Sequence, residues 1–273
     1  LRSGGLNAGT GKFKIRNVLV VFQFFIAVVL IASTFIILNQ INYLRNADLG
    51  IDTEQVVIVP IGAVRGDYDL MRDELLRNPS ITSITASNNH PASRVGNWRG
   101  YRPEGAEDQI SSPTVIVSHN FFETLGAEMV EGRAFDRDFE TDSQEAFVIN
   151  ESAVKFFGLE NPVGAVLRGS SYNGQEWSNK NAKVIGVVKD FHFASLHSEI
   201  RPVVFSLSSE ATTGINFMSI RIVPSNIDET LASIESVWND FAGEVPVNLS
   251  FLDEAVNAHY QAEDQFLTVF TSF

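Results

Sequence analysis

The chain is predicted to be an α+β protein carried by a membrane helix. Three observations predict this. Residues Val18–Leu38 (VLVVFQFFIAVVLIASTFIIL) run for 21 residues without a charge, and only Gln23, Ser33 and Thr34 are polar. Two similar strand–helix–strand patterns flank a long β-rich insert in the part that follows. All 33 acidic residues lie after the apolar run, beginning with Asp48. The predicted fold is therefore a membrane-anchored extracytoplasmic domain of two β-α-β units, interrupted by a smaller β-rich subdomain. One complete transmembrane helix precedes it, and the start of another follows.

The first element is the apolar run. At about 1.5 Å per residue a helix of its length spans about 31 Å, the thickness of a bilayer's hydrocarbon core. A buried core helix has a shorter apolar stretch and a polar side. A cleaved signal has an apolar region of about 7–15 residues and a small-residue cleavage site, which is not found here. Arg2, Lys12, Lys14 and Arg16 precede the run, and only Arg45 follows closely. The positive-inside rule then places residues 1–17, a cytoplasmic linker, inside and residues 40 onward outside. The net charge of −13 divides into +4 before the run and −17 after it, where 16 basic residues face 33 acidic ones. So acidic a part excludes nucleic acid as a partner and does not lie flat on anionic lipid. The absence of cysteine excludes a disulfide framework, thiolate metal sites and cysteine nucleophiles.

Residues 18–38 form the transmembrane helix. Residues 39–50 (NQINYLRNADLG) extend it as a stalk, with Ile41 and Leu44 continuing an apolar stripe and Gly50 ending it. Residues 51–89 hold the first unit. Gln55–Ile61 is a β-branched strand, Asp67 caps a helix that runs to about Asn78, Pro79 stops it, and Ile81–Ser87 alternates as a half-buried strand. Residues 90–205 are the insert, with strands around Thr114–Val117, Ala146–Asn150 and Lys183–Val188. Its helical pieces Asn120–Leu125 and Glu151–Phe157 are closed by Gly126 and Gly158. Residues 206–252 hold the second unit: a strand Asn216–Val223, a helix opened by a capping box of Asn226 and Glu229, and a returning strand Val247–Phe251. Residues 253–273 are a return stalk and the start of a second span near Phe266. The first residue is Leu1 in a Gly-rich segment, and the last apolar run, FLTVFTSF, reads as a span cut short.

Candidate chemistry is sparse. The tightest histidine cluster is KDFHFASLH, with Asp190, His192 and His197; the other histidines are His90, His119 and His259. Two histidines and a carboxylate suit a metal, but the spacing is not a ligand spacing, and a hydrogen-bonded corner is the plainer reading. No G-x-S-x-G elbow and no Walker motif occurs. The acidic run FDRDFETD misses the EF-hand pattern and reads as a solvated loop. No catalytic, cofactor-binding or metal-ligating residue is assigned, no cofactor is expected, and the chain is not expected to be an enzyme.

Several phrases together resemble a known family. KIRNVLVVFQFFIAVVLI with NQINYLRNADLGID, VEGRAF (130–135), VINESAVKFFG with NPVG (148–164), and VIGVVKDFHFASLH with RPVVF resemble an FtsX-like, MacB-type ABC transporter permease. The match is to the second copy of the exported core domain in a duplicated permease. The resemblance implies a porter-like α/β part interrupted by a smaller β-containing part, in the bacterial inner (cytoplasmic) membrane with the main domain periplasmic. It implies a cytoplasmic ABC ATPase subunit as partner, a dimer of permeases or a pseudo-dimer, and an extracytoplasmic partner protein. The working parts would be mechanical: Val18–Leu38 as anchor, Asn39–Ala47 as stalk, and a return helix over Asp253–Phe270 with Val256, Tyr260, Leu267 and Phe270 on one face. The alternative function is a membrane-tethered sensor or ligand-binding domain of a signalling protein, which predicts a concave pocket. A membrane-anchored hydrolase is the third.

Overall fold

The computed structural model describes residues 10–45, 49–93, 95–170, 180–193, 199–208 and 214–258. A helix of 36 residues, α1 (Thr10–Arg45), contains the whole apolar run. Within it the 24-residue stretch Arg16–Asn39 is long and apolar enough to cross a membrane. Its side chains face outward, with Phe24 and Ile31 each 70 % exposed. A helix apolar all round is at home in lipid, where every backbone group is satisfied within the helix. Thr34 follows the same logic: its hydroxyl donates to the Leu30 carbonyl at 2.9 Å. The helix passes Leu38 unbroken, so the predicted stalk is helical from Asn39 to Arg45. Residues 46–48 lie outside the described residues.

The second compact unit spans Asp48–His259. Its first part comprises β1 (Val56–Pro60), a 3-10 turn (Arg65–Asp67), α2 (Tyr68–Leu75) and β2 (Ile81–Ser87). Next come β3 (Trp98–Pro103), β4 (Ile110–Val117), α3 (Phe121–Thr124), β5 (Met129–Gly132), α4 (Asp142–Glu145), β6 (Ala146–Asn150), α5 (Glu151–Phe157), β7 (Val166–Ser170), β8 (Lys180–Val188) and β9 (Val204–Leu207). The last part is β10 (Phe217–Ile222), α6 (Ile227–Ala242), β11 (Ser250–Phe251) and α7 (Leu252–Ala258).

The strands of the first and last parts alternate in one layer, in the order β11-β1-β10-β2. Each neighbouring pair is antiparallel. β1 and β2 are therefore parallel to each other with β10 between them, a split β-α-β arrangement. Each unit lends a strand to the gap in the other. Met71 and Leu75 of α2 and Ile234 and Trp238 of α6 pack on one face, over Val57, Val59, Ile84 and Ile220. On the other face Val56 and Ile58 pack with Phe121, Leu125 and Leu252. Burial of both faces explains why β1 is an unbroken β-branched run without a polar alternation.

The middle part closes on itself. Successive pairings β4–β3–β7–β8–β6–β9 return to β4 through a parallel β4–β9 ladder, making a six-stranded ring. Tyr101, Phe147, Ile149, Leu167, Val184 and Val204 form a core with Phe157 of α5. Tyr101 is fully buried, and its hydroxyl is 2.7 Å from that of Thr114. The ring meets the four-stranded layer through the β2–β4 pair Ser87↔Val117.

Two predicted caps differ from expectation. Asp67 and Asn226 stand at their helix N-termini, yet neither side chain caps a backbone N–H. Asn226 has φ +57°, left-handed rather than the extended backbone from which an N-cap side chain reaches the first turn, and the capping box does not form. The unpredicted cap is Asn150, whose side chain accepts from Ala153 N at 3.1 Å and Val203 N at 2.8 Å. The predicted returning strand is also shorter, because pairing is confined to Ser250 and Phe251.

Candidate functional site at the sheet edge

β1 and β11 are antiparallel neighbours, with Val57 opposite Phe251 and Ile58 opposite Ser250. The start of β1 and the end of β11 therefore lie side by side. The chain enters the layer and leaves it at the same end of the same edge, and the residues around that point form a dense junction.

Arg221 is its hub. It sits where the β10–β2 ladder shifts register, and such a bulge re-aims a side chain. Its guanidinium donates to Thr124 O (2.7 Å), the Asp52 carboxylate (2.8 Å), Asp52 O (2.9 Å) and Glu54 O (3.3 Å). Asp52 N in turn donates to Leu125 O at 2.8 Å. The incoming segment is thus tied at once to β10 and to the end of α3. A planar five-donor fork is suited to gathering several acceptors in this way.

Just before it, Gly50 adopts φ +77°. A Cβ there would lie 2.9 Å from both Asp190 O and the Phe191 Cβ, so the close approach and the left-handed backbone both require glycine. His192 N donates to Leu49 O at 2.9 Å. Beneath, Phe191 contacts Phe193 and Phe205, with ring centroids 5.7 and 6.0 Å apart, and Phe122 meets Phe205 at 5.1 Å. On the outgoing side Leu252 is fully buried in the same core, and Ala255 and Val256 pack against it.

The KDFHF segment therefore acts as a clasp on the incoming chain. Asp190 accepts from Ser152 N (2.9 Å) and Ser152 Oγ (2.7 Å), and its own N–H donates to Glu151 at 3.0 Å. Burial pushes the His192 pKa down, opposed by the nearby Asp190 carboxylate. His197 and His259 lie outside the described residues, as do Tyr260, Leu267 and Phe270 of the predicted return helix. Among the described residues no three His, Cys, Asp or Glu converge to hold a metal ion. His90 packs edge-on against Phe217 at 4.7 Å. The FDRDFETD run is exposed from Asp136 to Thr141, but its last residue, Asp142, is 3 % exposed and accepts two hydrogen bonds, 2.6 and 2.8 Å, from Arg133.

Sequence reasoning read KDFHFASLH as a hydrogen-bonded corner rather than a clasp, and it missed Arg221. A lone arginine in an apolar strand (FMSIRI) was the available signal.

An outward-facing apolar helix and a mixed α/β unit with adjacent entry and exit define a class: membrane-anchored proteins with an extracytoplasmic domain. The model of the MacB-like periplasmic core domain matches residues 19–237, and the chain belongs to that family, within the ABC transporter permeases. The periplasmic region of MacB from Actinobacillus actinomycetemcomitans is similar, with a TM-score of 0.55, 19 % identity, and coverage of 77 % of this chain and 94 % of that one. A domain of a putative permease protein from Porphyromonas gingivalis matches with a TM-score of 0.50 and 14 % identity, covering 73 % of this chain and 91 % of that one. At these identities the two structures show a shared fold. No curated protein matches the chain in sequence.

Proposed function

We propose that the chain is a permease subunit of a MacB/FtsX-type ABC transporter in the bacterial inner membrane. It couples ATP hydrolysis by a cytoplasmic partner subunit to movement of the periplasmic domain, for export or mechanotransmission. The observation that supports this reading best is the junction. Incoming and outgoing chain share one sheet edge, and Arg221 fastens the incoming segment to two further elements. Displacing that segment drags β10 and α3 with it, because stiff, hydrogen-bonded contacts transmit displacement. α1 is the anchor, and its extension to Arg45 is the base of the lever. Two permease copies work together, and an extracytoplasmic partner receives the motion.

The test is the permease reconstituted with its ATPase in nanodiscs, with a cysteine-borne spin label at exposed Glu160. The chain has no cysteine of its own, so labelling is specific. ATP is expected to shift the distance between labels on the two copies. A distance distribution unchanged by ATP, while the ATPase turns over normally, would sink the proposal.

A further inference from the structure

A cleft of about 170 Å³ opens between the two lobes. From the four-stranded lobe α2 contributes Tyr68 and Arg72, four residues apart and so on one helical face. From the ring side come Ser118 and His119, which follow β4, and Arg137, which precedes α4.

The floor is already satisfied. Ser118 Oγ accepts from Ala86 N at 2.7 Å and lies 3.1 Å from the Tyr68 hydroxyl and 3.0 Å from that of Thr85. Arg72 is held by Asp69 at 2.8 Å and Asp73 at 2.7 Å. Arg137 has no carboxylate partner within 4.0 Å among the described residues. Of the charges lining the cleft, Asp69 offsets Arg72 and leaves Arg137 over. An unmatched guanidinium in a concavity is conspicuous on a part so acidic overall.

We propose that this cleft binds a small carboxylate, gripped by Arg137 and His119 above the Tyr68–Ser118 floor, so that the anion bridges the two lobes. Arg137 offers one guanidinium without a carboxylate partner, which fits a single carboxylate group, and its planar fork fits the planar anion. The neutral imidazole supplies an N–H donor. The titratable and charged groups around that imidazole are consistent with this. Burial, Arg137 and Arg72 push the His119 pKa down, and Asp142 and Asp136 oppose them more weakly. Asp69 and Tyr68 line the same wall. A bound carboxylate stabilises the imidazolium, so occupancy raises the His119 pKa. By linkage, affinity rises as pH falls through that pKa.

The experiment uses the full chain in nanodiscs with isotope-labelled histidine, followed by NMR. Sodium acetate is titrated against sodium chloride at equal ionic strength. The expected result is a saturable shift confined to His119, with its pKa raised, while His90 and His192 stay in place and report an intact fold. Arg137→Gln weakens acetate binding about tenfold, the loss of one charge-assisted contact. His119→Gln keeps binding and loses its pH dependence. N-acetylglutamate amide serves as the peptide-borne form. Binding of acetate identifies a free carboxylate as sufficient, and binding of the glutamate probe alone identifies a partner's side chain; both support the site. A response matched by chloride, or an Arg137→Gln protein that titrates like the parent, overturns it.

Discussion

The four-stranded layer and the six-stranded ring are built on opposite plans. The layer is woven from the two ends of the domain: Val56 pairs with Arg221 and Pro60 with Phe217. The ring closes within the middle of the chain and joins the layer at Ser87↔Val117. Long-range pairing costs more chain entropy, and it carries the advantage that both connections emerge together. The layer therefore receives both connections, while the ring closes its own hydrogen-bond ladder and shares one core with the layer, where Val56, Ile58 and Leu252 meet Val117, Val148 and Phe205. A force entering at Leu49–Glu54 meets the clasp behind β8 at Leu49 and Gly50, and the layer at Asp52 through Arg221.

Substitutions can break this division. The largest expected effect is on the layer. Trp238 is 2 % exposed and donates to Val245 O at 2.7 Å. Trp238→Ala is expected to cost about 4 kcal/mol, measured by urea unfolding of the full chain. Gly50→Val comes next, at about 3 kcal/mol from a disfavoured φ and a backbone clash. Hydrogen exchange should show faster opening at the Asp52 and His192 amides, with ring amides remote from the clasp, such as Leu167, unchanged. Equal acceleration in the ring would show that the two lobes are one mechanical body. Arg133→Ala leaves the nearly buried Asp142 unpaired and should cost about 2 kcal/mol, less than a fully buried pair because Arg133 is itself partly exposed. Tyr101→Phe removes the hydroxyl contact with Thr114 inside the ring, about 1 kcal/mol.

The smallest effect is that of pH, and its sign differs between the junction and the ring core. His192 at the junction has a lowered pKa, so its contribution is present above the unfolded value of about 6.5 and is lost as pH falls through the folded one. Burial raises the Tyr101 pKa, so the ring's contribution is present below about pH 10 and is lost as pH rises beyond it. Amide exchange at pH 5 should therefore quicken first near His192, and above pH 10 first near Tyr101.

Much of this was legible locally. The strands at Val56–Pro60 and Ile81–Ser87 announced themselves by β-branched or alternating residues, and α6 by its apolar face. What stayed hidden was neighbourhood. Nothing in VVIVP says that its partner is 160 residues away, because ladder partners share burial, not sequence. β3 (WRGYRP) escaped notice because Gly100 and Pro103 are poor strand formers, tolerated here by ring closure. The expected cap at Asn226 failed for a backbone reason, since residue type does not reveal a left-handed φ. The clasp at KDFHF was visible as a cluster of polar and aromatic residues, but its work is to hold chain, and only the Leu49–His192 contact reveals that.

The short β11 has a further consequence. β1 is stitched to β10 by five residue pairs and to β11 by two. Under opposed tension on the two connections, the outgoing side rests on those two pairs and on Leu252, Ala255 and Val256 packed in the core behind them. The outgoing end is then a fuse with two stages, the extraction of Leu252 and the parting of a short ladder. Its yield point is set by one buried side chain and the length of one strand, and adding pairs to β11 raises it.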